Sequence, residues 1–220
     1  MSDITILFYT ANKIPQYILN LVIEHLKSFK LPIVSVSQKS IDLGNNIVVP
    51  KEYSVRNIHK QILIGAKEIK TKYVALCEDD CFYLPEHFFI YRPKYFAYNR
   101  NRWTLHLKRG YYSYRFRAVM SQLIANRDTL ISSAEERLSL PDDPILNKIK
   151  YGEYGKTEKE LGIREYNFEK FRTKTPNLVI GHKYGIYGDK RPKFSTICDY
   201  VEGLGYSKDW ITLLDYWRTK

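Results

Sequence analysis

Three carboxylates stand together at Glu78-Asp79-Asp80, directly after the apolar run Tyr73–Cys77. Carboxylates this close repel one another, and a bound cation relieves the repulsion. A divalent ion that bridges a nucleotide diphosphate needs one or two carboxylates and takes its other ligands from phosphate and water. The plain alternative is a solvated acidic turn; the thoroughly apolar run ahead of the triplet favours the metal. Cys77 and Cys81 flank the triplet. A zinc site would require two more well-spaced Cys or His ligands, which the sequence does not offer. With Cys198 the cysteines number three, odd and too few for a disulfide framework, so buried or half-buried free thiols are expected.

Three further groups carry candidate chemistry. His182 sits within Gly181-His182-Lys183-Tyr184-Gly185-Ile186-Tyr187-Gly188, where glycines let the backbone approach a phosphate and Lys183, Lys190 and Arg191 supply counter-charge. A lone histidine after a strand is otherwise structural, and His87 and His106, which lack such a setting, read as structural or surface residues. Glu135 and Glu136 are candidates for a general base toward an acceptor hydroxyl, and equally suit an exposed helix face with Arg137. Residues 91–117 hold eight Lys or Arg and nine aromatic residues with no acid. Arg100, Arg102, Trp103, Lys108, Arg109, Arg115 and Arg117 would there track a phosphate backbone and stack on unpaired bases. The competing reading of this stretch is a strand pair with aromatics in the core and basic residues along a solvated edge.

The elements that must position these groups follow from periodicity. Ile4–Tyr9 is an apolar β-branched run, and residues 14–29 carry apolar positions at helical spacing. Ile33–Ser37 reads as a second strand, Leu43–Asn46 as a turn, and Ile47–Pro50 as a short edge. A second helix is predicted over Val55–Ile69, and Tyr73–Cys77 forms the strand that ends at the triplet. Strands alternating with helices imply an α/β fold with a mostly parallel sheet flanked by helices, and ligands bind such sheets beyond the carboxyl ends of the strands. Further on, Tyr95–Tyr98 and Trp103–Leu107 are expected to pair antiparallel around Asn99–Arg102, followed by a helix over Phe116–Asn126. A helical stretch bearing Glu135 and Glu136 breaks at Pro141–Pro144. Residues 146–175 read as polar surface helix and loop, and Asn177–Ile180 as an apolar strand.

At 220 residues, 44% hydrophobic and 27% charged, the chain has the profile of one globular domain. It has no stretch near the roughly 20 apolar residues that span a bilayer and no signal-peptide pattern, which predicts a cytoplasmic protein. The net charge of +11 points to nucleic acid, an anionic surface or phosphate-bearing substrates as partners.

Strand, helix, strand, helix, apolar strand and Glu-Asp-Asp, in this order, resemble the glycosyltransferases of the GT-A fold, whose metal motif is Asp-x-Asp or a variant. The likeness in pattern covers residues 4–130, with a second element near 176–191. Lys60-Gln61 with Gly65-Ala66 is similar to the donor-binding helix of small bacterial and phage members. Tyr98-Asn99-x-Asn101-x-Trp103, Ser121-Gln122-Leu123-x-Ala125-x-Arg127 and Pro176-Asn177-Leu178-Val179-Ile180-x-His182 look like the same subgroup. The resemblance implies a single Rossmann-like GT-A domain, with residues 1–90 binding a nucleotide sugar and 91–220 the acceptor. It implies Mn²⁺ or Mg²⁺ held by Asp80 with Glu78 as helper and His182 completing the set. Tyr9, Thr10, Ala11, Ser37, Lys60 and Gln61 would line the nucleotide pocket with Lys183, and Asp79 would meet the donor sugar or ribose. The family's habit favours a UDP-sugar.

If the basic, aromatic stretch is a nucleic-acid surface, the acceptor is a hydroxymethylated pyrimidine in double-stranded DNA. The chain would then be similar in role to phage DNA glycosyltransferases and the base J glucosyltransferase, acting in a phage-infected bacterium. Two other readings stand beside it: a transferase whose acceptor is a glycan, lipid or protein, and a non-catalytic nucleic-acid-binding module on a degenerate fold.

Overall fold

The computed structural model describes residues 2–114, 117–143, 152–181 and 196–219. The chain opens with β1 (Ile4–Thr10), α1 (Gln16–Ser28), β2 (Ile33–Ser37), β3 (Asn45–Val48), α2 (Val55–Glu68) and β4 (Tyr73–Glu78). All seven residues of β1 are buried. Strand alternation sends Ile4, Ile6 and Phe8 into one apolar cluster with α1, and Leu7 and Tyr9 into another with α2. That two-sided burial is why β1 reads as a continuous apolar run. The Ser54 hydroxyl caps α2 by accepting from the Asn57 amide at 3.0 Å. Gly65 lets this helix lie against the sheet, for a Cβ there would come within 2.2 Å of Leu7 Cδ1.

The second half runs β5 (Cys81–Phe82), α3 (Pro85–Phe89), β6 (Phe96–Asn99), β7 (Arg102–His106), β8 (Tyr111–Tyr114), β9 (Leu123–Asn126), α4 (Arg127–Ser139), α5 (Glu158–Leu161), β10 (Phe168–Phe171) and β11 (Asn177–Gly181). It finishes with β12 (Thr196–Cys198), β13 (Tyr200–Val201), β14 (Gly205–Tyr206) and α6 (Ser207–Arg218). A seven-stranded sheet has the order β10-β6-β9-β4-β1-β2-β3. Its strands β1 to β4 are parallel, and β9 inserts antiparallel between β4 and β6. A second sheet, β12-β8-β7-β11-β5, extends from the end of β4 through β5. The architecture is α/β, a mostly parallel central sheet flanked by helices. Among the described residues no helix is long and apolar enough to cross a membrane.

Two expectations fail, for physical reasons. Tyr95–Tyr98 and Trp103–Leu107 do not form a hairpin, because β6 lies in the central sheet and β7 in the second. Asn99 and Asn101, both buried, steer the chain across. The Asn99 amide donates to Thr173 Oγ1 (3.1 Å) and the Asn101 amide to the Thr173 carbonyl (2.8 Å), so the turn residues are tied to the next crossing rather than to each other's strands. The helix expected over Phe116–Asn126 is instead a 3-10 turn at Met120–Gln122 followed by β9; Phe116 itself lies outside the described residues. Leu123, Ile124 and Ala125 are all fully buried between two strands, and so short an apolar run has no period by which to tell strand from helix. Within the polar stretch 146–175, β10 adds an edge strand parallel to β6.

Candidate active site

The carboxyl ends of β1, β2 and β4 lie side by side, and their register assembles the site. Tyr9 is the Cα partner of Glu78, and Thr10 of Ser37. The Tyr9 hydroxyl donates to Glu78 Oε1 at 2.5 Å. The Thr10 hydroxyl donates to the Asp79 carboxylate. Beyond β1 the chain enters the left-handed region at Asn12 (φ 52°), a conformation that Asn tolerates. The Asn12 side-chain oxygen then accepts from the Gln38 and Lys39 amides at 2.8 and 2.9 Å, fastening the loop after β1 to the loop after β2. Gln61, buried on α2, donates to the carbonyls of Thr10 (3.0 Å) and Val36 (3.1 Å), holding both strand ends.

The triplet is half-buried and electrostatically crowded. Desolvation, and then the charge of Asp80, push the Glu78 carboxyl up to about 8. Burial likewise raises the Tyr9 hydroxyl well above its ordinary value, so Tyr9 remains a neutral donor. The Cys77 and Cys81 thiols are buried and their ionisation is pushed up by desolvation, as expected of inert thiols.

Ser37 is fully buried and its hydroxyl accepts from the Asn46 amide at 2.9 Å, while Ala11 is half-buried between Thr10 and Asn12. Lys60 forms an ion pair with Glu52 at 2.9 Å. The strand β11 arrives at the triplet, where the Ile180 amide donates to the Asp80 carbonyl at 2.7 Å. His182 and Lys183, the next two residues, lie outside the described residues, as does Arg115. Among the described residues no three His, Cys, Asp or Glu side chains form a ready-made metal cage.

The two proposed bases are not brought to the site. Glu135 pairs with Lys67 at 2.6 Å, near the end of α2 that leads into the start of β4. Glu136 accepts from the Arg164 backbone amide at 2.8 Å and from Ser132. Both lie on α4, and the partners given for them are outside the triplet. The basic stretch is also divided. Phe96, Tyr98 and Tyr112 are fully buried core residues. Trp103 packs on Tyr114 with ring centroids 5.2 Å apart, and the Arg100 carbonyl accepts from the Tyr114 hydroxyl. Lys108 and Arg109 are exposed on the β7–β8 turn, beyond the end of β7 at His106. Arg102 and Arg117 are half-buried, and Arg102 is close enough to the triplet to stabilise ionised Glu78.

Sequence reasoning missed Tyr83. Its buried hydroxyl accepts from the Glu78 backbone amide at 3.0 Å and donates to the Ser121 carbonyl at 2.9 Å, so it fixes the start of the acidic turn. It missed equally the chain in which the Asn177 amide donates to Gln122 Oε1 (2.7 Å) and the Gln122 amide to Cys81 Sγ (3.4 Å). The signal was there: polar residues at the edges of apolar runs, which have no reason to be buried unless paired.

No protein-family profile and no curated protein matches the chain. Solved structures that are similar to it include a glycosyltransferase involved in the glycosylation of the major capsid of PBCV-1, at 10% identity over 80% of this chain and 91% of that one, with a TM-score of 0.49. A nucleotidyl transferase from Methanothermobacter thermautotroptrophicus is 12% identical over 99% of both chains, TM-score 0.43. Residues 1–349 of S. aureus TarS are 9% identical over 80% of this chain and 60% of that one, TM-score 0.44. At these identities and scores the likenesses say nothing of activity.

Proposed function

We propose that the protein is a metal-dependent glycosyltransferase that moves a sugar from a nucleotide sugar, a UDP-sugar, to an acceptor hydroxyl. The observation that carries this reading is the acidic triplet at the carboxyl end of β4, clamped by Tyr9 and Thr10 from the neighbouring strand. Ligands of open α/β sheets bind at such strand ends.

The donor set suits a Mg²⁺ or Mn²⁺ that arrives with a diphosphate. Glu78 and Asp79 each accept a hydroxyl from β1, and Asp80 is taken as the principal carboxylate, as in the family's acidic motif. One carboxylate is enough when phosphate oxygens and water complete the shell. When bound, such an ion neutralises charge on the departing nucleotide diphosphate. The chain's own residues supply the frame. Asn12 and Gln61 lock the ends of β1 and β2 together, so the nucleotide meets a rigid floor. Tyr9 and Tyr83 fix the carboxyl and the backbone of Glu78, which sets the direction in which Asp80 leaves the strand.

For the acceptor we propose a hydroxymethylated pyrimidine in duplex DNA. The net charge of +11 and the exposed Lys108 and Arg109 support a polyanionic partner. The test is UDP release from UDP-glucose with Mn²⁺, with and without 5-hydroxymethylated duplex, for wild type and Asp80→Ala. Release that needs the duplex and is lost in the variant is expected. Release without dependence on DNA would remove the acceptor and leave the transferase. Unaltered release by Asp80→Ala would remove the site.

A further inference from the structure

The second sheet brings one more charged group to the triplet. Register places Arg102, Thr104 and His106 of β7 on the same face as Asn177 and Val179 of β11 and Cys81 of β5. This face is polar up to the residue that follows Asp80, through the Asn177–Gln122–Cys81 chain. The Arg102 guanidinium is half-buried, and it makes no hydrogen bond or ion pair with a described residue. Its charge nonetheless acts on Cys81, Asp80 and Glu78, and Arg117 lies near enough to repel it. A partly desolvated guanidinium beside carboxylates it does not grip is an arrangement that an anion would complete. A guanidinium presents a planar fork of donors that matches two phosphate oxygens.

We propose that Arg102 binds a phosphate group of the substrate at the acidic triplet. This rests on the transferase reading for the identity of the substrate. The phosphate has two sources, the donor's diphosphate or the phosphodiester beside the acceptor hydroxyl. In either case Arg102 acts from the face of the second sheet that also carries Asn177 and Cys81.

The experiment is calorimetric titration of UDP, uridine, inorganic pyrophosphate and 5-hydroxymethylated duplex into wild type, Arg102→Gln and Arg102→Lys. Loss of a charge-assisted fork predicts UDP binding about 10- to 100-fold weaker in Arg102→Gln, with uridine unchanged and Arg102→Lys in between. Weakened duplex binding with unchanged UDP would assign the phosphate to the acceptor. Equal weakening of UDP and uridine would mean that Arg102 acts through the shape of the site, and would overturn the phosphate role. Unchanged binding of every probe in both variants would overturn it as well. Arg102-dependent pyrophosphate binding without any nucleoside binding by wild type would keep the phosphate site and sink the transferase reading.

Discussion

Two clusters of buried or half-buried polar groups use the same ingredients in different proportions. Around Arg137 and Glu158, 0% and 2% exposed, charge is balanced one to one at 2.6 Å. Glu158 also accepts from the Ser133 hydroxyl and the Gly155 and Thr157 amides. Arg137 donates to the Gly152 carbonyl and stacks on Tyr154, whose hydroxyl meets His59 Nδ1 at 2.8 Å. At the triplet, Glu78 and Asp79 accept from the neutral hydroxyls of Tyr9 and Thr10, and Arg102 acts on the acids by charge, without a hydrogen bond to a described residue. The first cluster is complete by itself and serves the fold. The second crowds three carboxylates at the carboxyl end of β4, an arrangement that a bound cation would relieve.

Breaking the balanced cluster should have the largest effect on stability. Arg137→Ala leaves Glu158 buried without its cation and is expected to cost about 3–5 kcal/mol, read by denaturant unfolding. A loss below about 1 kcal/mol would mean that the cluster is hydrated and the contrast is false.

The unbalanced cluster should respond to pH in the other sense. Glu78 has a folded value raised from 4.5 to about 8, so its contribution is fully present below 4.5 and is lost as pH rises through 8. In buffer free of divalent ions, Glu78→Gln should therefore gain on wild type between these limits, by at most about 1.4 kcal/mol per pH unit. His87 supplies the opposite limb: burial lowers it from 6.5 to about 3, so its contribution is lost as pH falls below 6.5. Thermal melts of wild type, Glu78→Gln and His87→Gln across this range check both signs, and a flat difference for Glu78→Gln would remove the crowding from the account.

Glu135 belongs to neither cluster and gives the smallest effect. Its pair with Lys67 is about half exposed, at 49% and 52%, so Glu135→Gln should change stability by about 0–1 kcal/mol. Its turnover of a nucleotide sugar should match wild type. A large drop in turnover would restore it as a base.

The contrast also explains what the sequence revealed. Ile4–Thr10 and Tyr73–Glu78 are buried on both faces, and their unbroken apolar runs announced a parallel sheet with the triplet at its carboxyl edge. Leu123–Asn126 carries the same kind of run, but only its place between β4 and β6 makes it a strand. Asn99 and Asn101 looked like turn residues, and their partner Thr173 lies more than seventy positions away. Within the site, the acids were visible as a motif. Their partners were fixed by register, Tyr9 opposite Glu78, which spacing along the chain does not encode. Arg102 was read with the basic stretch because composition groups neighbours in sequence, whereas the second sheet groups it with Cys81 and Asp80.

The most direct test of the central claim, that the triplet is a ligand site rather than a structural cluster, is to measure stability and nucleotide-sugar turnover of Asp80→Asn side by side. Removing one carboxylate of the crowded triplet should leave the protein as stable as wild type or more so, while turnover with Mn²⁺ falls about 10²- to 10³-fold. A variant that unfolds more easily yet turns over at the wild-type rate when folded would make the triplet a structural cluster like that of Arg137 and Glu158, and would contradict the account.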